Sequence, residues 1–224
     1  MTTALIMCGG ADEKWTNLGG EGRRHFQLID GERLIDRQIR QLRARGVTDI
    51  GIIAPPEINA YSIRGVFRVE PRFAEWGHEC LNGQAYWPAD DRLLQIFGDT
   101  IFTEAAMDLT VRAYPGFKMI GRHNPGGVSP YGELFAVNVP PGGGPAWAGA
   151  LRLGFRLKAR GIIRRAGSWE GYRIMAGATG RTVRHHRLYR RFFVDVIDGT
   201  DDFDTPEQYA AMLELVARTP GFRP

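Results

Sequence analysis

The chain has 224 residues, a formal net charge of +4, and 43% hydrophobic and 24% charged residues. This size and balance are typical of a single α/β domain and argue against intrinsic disorder. No apolar run reaches the roughly 18 to 20 residues of a membrane span, and the N-terminus lacks the basic start of a signal peptide. Cys8 and Cys80 are too few for a disulfide framework, so we expect buried thiols and a cytoplasmic protein.

Basic residues are concentrated in one segment, residues 151–191. This segment holds twelve basic residues against a single acid, Glu170, so the rest of the chain carries a net negative charge. Such asymmetry is typical of proteins with a phosphate-bearing partner, and a nucleic acid is one candidate. A solvated, arginine-rich face would produce the same pattern, so the sequence leaves both interpretations open.

The first half of the chain opens with a predicted β–loop–α–β unit. A buried strand at residues 4–7 is followed by a glycine-rich loop, a helix over residues 34–45 and a second buried strand at residues 49–54. Such connections are right-handed and make the two strands parallel. The sequence therefore predicts an α/β fold with a Rossmann-like, mixed and mostly parallel sheet flanked by helices.

The later elements are predicted from apolar runs and turn residues. Strands are expected at residues 63–69, 92–97, 118–121, 133–139 and 192–197, and helices at residues 78–86, 104–113 and 146–159. The final helix is the best specified, because Thr205 is an N-cap, Pro206 suits the first helical position, and Gln208 completes a capping box. No internal repeat is present in the sequence.

The glycine-rich loop, residues 8–26, has the composition of a phosphate-binding loop. Its five glycines would let backbone N–H groups approach oxyanions, and Lys14, Arg23 and Arg24 would add positive charge. The loop matches neither the dinucleotide-binding fingerprint nor the P-loop pattern, so both of those site classes are disfavoured.

Two acidic residues follow buried strands in positions that suit metal binding. Asp99 follows the strand at residues 92–97 after a single glycine, Gly98. Asp204 lies between the last strand and the last helix, in a turn that also contains Asp198, Asp201 and Asp202. In open α/β sheets the carboxyl edge is where ligands bind. A divalent cation that bridges phosphates is held by carboxylates. The plainer alternatives are a turn residue for Asp99 and a carboxylate at a helix N-terminus for Asp204.

Together, these motifs resemble a known family. The opening ALIMCGG…KW…GRRHFQLIDGERLIDRQIRQL, the later GDT and the late DTPE resemble, in order, the motifs of the MobA-like NTP transferases and sugar-phosphate nucleotidylyltransferases, which have a GT-A-like fold. One departure is clear, because Arg24 stands where the family has its signature lysine. Arginine keeps the charge but changes the reach and geometry, so either Arg24 takes over that role or this member no longer performs ordinary nucleotidyl transfer.

The resemblance implies roles for particular residues. It implies catalytic roles for Arg24, Lys14 and Asp99, and a Mg²⁺ or Mn²⁺ site at Asp99 and Asp204. It implies acceptor contacts from Arg122, His123 and Glu133. The nucleotide-binding residues would be Cys8, Gly9, Gly10, Lys14, Arg23, Arg24, Asn82, Gly83 and Gly98. Residues 1–115 would form the nucleotide-binding half of the single domain, and residues 116–224 the acceptor-binding half.

The implied activity is transfer of NMP from an NTP to a small phosphorylated acceptor such as a sugar phosphate, with release of pyrophosphate. The main alternative keeps the fold but consumes an NDP-sugar: a glycosyltransferase acting on a polyanionic acceptor such as modified DNA. A non-catalytic nucleotide- or nucleic-acid-binding module is a third interpretation.

Overall fold

The computed structural model describes residues 1–9, 23–71, 79–123, 128, 132–185 and 188–222. In chain order, its strands are β1 (Thr2–Met7), β2 (Leu28–Ile29), β3 (Glu32–Arg33), β4 (Asp49–Ile53), β5 (Phe67–Val69), β6 (Arg92–Phe97), β7 (Thr100–Ile101), β8 (Lys118–Arg122), β9 (Glu133–Val139), β10 (Phe193–Asp195) and β11 (Asp201–Asp202). Its α-helices are α1 (Leu34–Ala44), α2 (Glu104–Val111), α3 (Gly144–Ala159), α4 (Ser168–Met175) and α5 (Pro206–Arg218).

Seven of the strands in these residues form one sheet in the order β10-β8-β9-β6-β1-β4-β5. β1 pairs parallel with both β4 and β6, and β10 pairs parallel with β8. β9 is antiparallel to β6 on one side and to β8 on the other. The predicted fold class, a mixed and mostly parallel sheet in one α/β domain, is therefore confirmed.

Alternate residues of the central strands pack on opposite faces of the sheet, because side chains point to alternate sides of a strand. Ala4 and Ile6 of β1 lie in a core that includes Ile39 of α1. Leu5 and Met7 lie in a second core with α3 and α4. The sheet is thus buried between two layers of helices. Because both of its faces are covered, a ligand could reach it only at the ends or edges of its strands. Within the described residues, no helix combines the length and apolar character needed to cross a membrane.

The predicted and observed elements differ in a few places. The helix expected over residues 78–86 is two short 3₁₀ turns, Glu79–Leu81 and Gln84–Tyr86, and its first residue lies outside the described residues. Gly83 separates the turns with a φ of 72°, which a continuous right-handed helix does not accommodate. α4 and the short ladders β2–β3 and β7–β11 have no counterpart in the predicted elements.

Candidate active site

The carboxyl ends of β1 and β6 form the centre of the candidate site. Met7 lies opposite Phe97 in this parallel pair, so the chain segments that follow them leave from the same edge of the sheet. Asp99 therefore lies at the edge where the sequence predicts it, and this edge is where open α/β sheets bind ligands.

Gly98 allows the two strand ends to approach closely. An added Cβ at this position would lie 2.6 Å from the Cys8 sulfur and 2.8 Å from the Met7 carbonyl oxygen, which is too close for either atom. Because Gly98 has no Cβ, its backbone comes close enough for its amide to donate a hydrogen bond to the Met7 carbonyl oxygen, at 3.0 Å. The glycine is thus required by packing, and it sets the position from which the Asp99 side chain leaves the backbone.

Gln38 of α1 holds the turn that carries Asp99. Its Nε2 donates to the carbonyl oxygens of Phe97 at 3.1 Å and Thr100 at 2.7 Å, on either side of the aspartate. Gln38 itself is fully buried. The sequence does not single out Gln38, because its position within an amphipathic helix does not indicate which loop it will contact.

Three carboxylates converge at this edge. One oxygen from each of Asp99, Asp202 and Asp204 lies within 4.8 Å of the other two. Asp202 reaches this position because it pairs with Thr100 in the antiparallel ladder of β7 and β11. Carboxylate oxygens are the ligands that Mg²⁺ and Mn²⁺ prefer, so this donor set fits such an ion. The sequence analysis selects Asp99 and Asp204 as ligands but not Asp202.

The carboxylates destabilise one another's ionised forms. Burial raises the pKa of Asp99 most, the Arg24 charge opposes this rise, and the Asp204 charge adds to it. The pKa of Asp202 lies well above its usual range, first because of burial and then because of negative charge from Glu133 and Asp99. Negative charge gathered in this way favours the binding of a cation.

Arg24 contacts two members of this cluster. Its Nη1 lies 2.9 Å from Asp99 Oδ2 and 2.8 Å from Asp204 Oδ1. Arg24 belongs to the short 3₁₀ turn Arg24–Phe26. The buried His25 holds this turn in place, because its Nδ1 lies 2.7 Å from the Tyr61 hydroxyl. Arg24, which aligns with the lysine of the family that the sequence resembles, thus lies beside both aspartates that are predicted to be metal ligands.

The other residues predicted to bind nucleotide lie along the same edge where the structure describes them. Cys8 is buried, and its amide donates to the Ile53 carbonyl at the end of β4 at 2.9 Å. Gly9 follows it, and Arg23 precedes the 3₁₀ turn. Asn82 is buried beside Gly83, where an added Cβ would lie 3.1 Å from Ile53. Gly10 and Lys14 lie outside the described residues.

The three residues predicted to contact the acceptor have different surroundings. The Arg122 guanidinium is buried, with Nη2 2.7 Å from the buried carboxylate of Asp201, and so takes part in an internal ion pair. His123 is exposed at the end of β8, and its amide donates to Asp195 at 3.0 Å. Glu133 is half-buried at the start of β9, and its negative charge contributes to the raised pKa of Asp202.

The basic segment lies mainly on α3, α4 and the 3₁₀ turn Gly180–Arg184. Part of its charge is internal, since Arg173 is buried with Nη1 3.0 Å from the Glu170 carboxylate. Other members are exposed, including Arg156 and Lys158 on α3. The segment is therefore partly structural and partly a solvated basic surface.

Comparisons with known proteins are informative at the level of structure. No family model matches the chain, and no curated protein is significantly similar in sequence. A protein assigned as a glucose-1-phosphate thymidylyltransferase from Bacillus anthracis matches with a TM-score of 0.66 and 14% identity over 98% of this chain and 96% of its own. A 2-C-methyl-D-erythritol 4-phosphate cytidylyltransferase from Thermus thermophilus matches with a TM-score of 0.61 and 12% identity, over 96% of this chain and 98% of its own.

An inositol-1-phosphate CTP transferase from T. maritima matches with a TM-score of 0.58 and 10% identity over 96% of both chains. The fold of these three proteins thus extends over nearly the whole chain, as the resemblance to nucleotidyltransferases predicts. None of these three names includes a nucleic acid or a glycosyl transfer.

Proposed function

We propose that this protein is a nucleotidyltransferase that moves NMP from an NTP to a small phosphorylated acceptor, a sugar or polyol phosphate, and releases pyrophosphate. The observation that carries the proposal is the three-carboxylate cluster beside Arg24, at the ligand-binding edge of a sheet of this fold. The three similar structures are named as transferases for phosphorylated sugars or polyols, which supports the same acceptor class.

The reaction is an in-line displacement. A phosphate oxygen of the acceptor attacks the α-phosphorus of the NTP, and the bond from that phosphorus to the bridging oxygen of the β-phosphate breaks. The electron pair leaves with pyrophosphate. Because the acceptor phosphate is already an anion at neutral pH, no side-chain nucleophile is required.

The residues of the chain would divide the work by charge. Asp99, Asp202 and Asp204 would hold Mg²⁺ or Mn²⁺, which when bound neutralises charge on the phosphates during the displacement. Arg23, Arg24 and Lys14 would hold the triphosphate through their positive charges.

The chain would also divide the work by region. Residues 1–115 supply Asp99 and Arg24 and would bind the nucleotide, with Asn82 and Gly83 close to its base. Residues 116–224 supply Asp202, Asp204 and Glu133 and would bind the acceptor, with Glu133 and His123 nearest to it.

The test is a matrix of the common NTPs against sugar and polyol phosphates in the presence of Mg²⁺, read as pyrophosphate release. We expect one NTP–acceptor pair to be turned over, and Asp99→Asn to lower that rate about 100-fold or more, since it removes charge stabilisation that acts on the reacting phosphates. Asp36→Asn, in a partly exposed ion pair with Arg33, is the matched control and should retain the wild-type rate. Turnover of NDP-sugars without pyrophosphate release would contradict the proposal and favour glycosyl transfer.

A further inference from the structure

Arg24 occupies, with its own charge, the position that a cation would take between two carboxylates. A single nitrogen, Nη1, contacts both Asp99 Oδ2 and Asp204 Oδ1, at 2.9 and 2.8 Å. The Arg24 side chain is only 16% exposed. These two aspartates are also members of the carboxylate cluster whose donor oxygens fit a divalent ion.

A guanidinium and a divalent cation would compete for the negative charge of these two carboxylates. Each places positive charge against the same two side chains, and Mg²⁺ draws its oxygen ligands to about 2.0 to 2.1 Å, so an ion here would lie close to the arginine. Two cations in the same position would also repel each other strongly, because the site is partly buried. This repulsion weakens ion binding as long as Arg24 stays against the carboxylates, and its departure would remove it.

We propose that Arg24 is a built-in counterion that closes the divalent-cation site until a triphosphate draws its side chain away. This inference rests on the proposed function, because it takes the NTP as the ligand that moves Arg24. A guanidinium binds phosphate oxygens in a forked geometry, so a triphosphate at the same edge of the sheet offers it an alternative partner. Nucleotide binding then opens the cation site, and the two ligands bind cooperatively.

The same geometry assigns Asp202 as the third ligand of the opened site. Asp202 is a member of the cluster, and the ion pairs that Arg24 makes at 2.9 and 2.8 Å are with the other two members, Asp99 and Asp204. The β7–β11 ladder fixes its backbone opposite Thr100, so this carboxylate is held near Asp99 whether Arg24 is present or not. In a closed site, Asp202 alone cannot bind an ion tightly.

The size of the effect follows from the closed fraction. If Arg24 closes the site in about nine molecules out of ten, the apparent cation affinity falls about tenfold relative to the open site. A neutral side chain at position 24 leaves the site permanently open, so it should recover this factor in full.

Arg45 provides a matched control. It also bridges two carboxylates, with Nη2 2.9 Å from Glu104 and Nε 2.6 Å from Asp108, and its side chain is 14% exposed. The partners of the two arginines are similarly exposed, at 18% and 62% for Arg24 and at 25% and 68% for Arg45. Removal of Arg45 thus leaves a comparable carboxylate pair, although Glu104 keeps the Arg40 guanidinium at 3.8 Å. Among the residues that the structure describes, this pair is not part of a three-carboxylate cluster.

The experiment measures Mn²⁺ binding without nucleotide or phosphate, from the paramagnetic resonance signal of the free ion. We expect Arg24→Gln to tighten Mn²⁺ binding about tenfold or more relative to wild type and Arg45→Gln to leave it unchanged. Asp202→Asn in the Arg24→Gln background should abolish most of the gain.

An affinity of Arg24→Gln within twofold of wild type would overturn the proposal, as would an equal gain in Arg45→Gln. If Arg24→Gln does not fold, the Mn²⁺ affinity of the wild type tests the proposal. A wild-type Kd for Mn²⁺ of about 10 μM or below without phosphate would show that the site is already open and would overturn the proposal. Since no nucleotide is present, this result is independent of the pyrophosphate assay, and either proposal can fail while the other stands.

Discussion

The buried ion pair of Arg122 and Asp201 provides a sharp test of how the candidate site is supported. The two side chains are 6% and 0% exposed, and the Arg122 Nη2 lies 2.7 Å from Asp201 Oδ1. Arg122 also donates to the Thr200 carbonyl at 2.9 Å, and Asp201 accepts from the Val128 amide at 2.6 Å. Arg122→Met would leave the Asp201 carboxylate buried without its cation.

The expected cost is about 3 to 5 kcal/mol in the free energy of unfolding, the usual range when one partner of a buried pair is removed. For a chain of this size, each kcal/mol lowers the melting temperature by about 2 to 4 °C, so the expected fall is roughly 6 to 20 °C. Asp202 is adjacent to Asp201, so the proposed nucleotidyl transfer should decrease as well under conditions in which the variant remains folded.

The assay is urea unfolding of wild type, Arg122→Met, Asp201→Asn and the double variant. Because the two residues are in direct contact, the double variant should be more stable than the sum of the single effects predicts, by about 1 kcal/mol or more. The control is Arg33→Met in the pair with Asp36, where both side chains are about one-third exposed and the cost should stay below about 1 kcal/mol. A cost for Arg122→Met no greater than that of the control would refute the reasoning.

Local geometry supports three further predictions. Gly98→Ala should lower stability by about 1 to 3 kcal/mol in thermal unfolding because its Cβ would overlap Cys8 and Met7, whereas Gly149→Ala, on the exposed face of α3 with open space around it, should be neutral or stabilising. Burial and the charges of Arg24 and Arg23 hold the pKa of His25 well below its usual range, so this histidine stays neutral in the folded state while it protonates in the unfolded state. Stability should therefore fall by about 1 kcal/mol between about pH 7.5 and about pH 5.5 in urea unfolding, and a fall of the same size in His25→Gln would contradict this assignment. Thr205→Ala removes the capping box of α5 and should cost about 1 kcal/mol by thermal unfolding, with an unchanged melting temperature as the contrary result.

Elements with strong local signals could be predicted from the sequence. β6 has the predicted bounds because its apolar run ends abruptly at Gly98, and α5 begins where Thr205, Pro206 and Gln208 indicate. α4 was not predicted, because it is a short helix in which polar and apolar residues are mixed and which contains Gly171. An added Cβ there would lie 2.8 Å from Trp147 of α3, so this helix owes its position to tertiary packing.

The candidate site could be predicted only in part, for a similar reason. Asp99 and Asp204 could be predicted because each lies beside a predicted strand or helix, whose end indicates where the carboxylate lies. The position of Asp202 depends on a two-residue ladder, and the Arg122 pair joins residues 79 positions apart. No periodic pattern in the sequence indicates either contact, because both join segments that come together only in the tertiary structure.

The ladder between β7 and β11 has a consequence for the synthesis of the protein. Its two strands are about a hundred residues apart in the chain, and the central β1, β4 and β6 strands are all complete before the second of them is translated. A growing polypeptide on the ribosome can therefore assemble most of its sheet while Asp202 and Asp204 do not yet exist. The three-carboxylate cluster can therefore form only after residues 201–204 have been translated, so a shorter nascent chain that already has the central strands still lacks two of its three carboxylates.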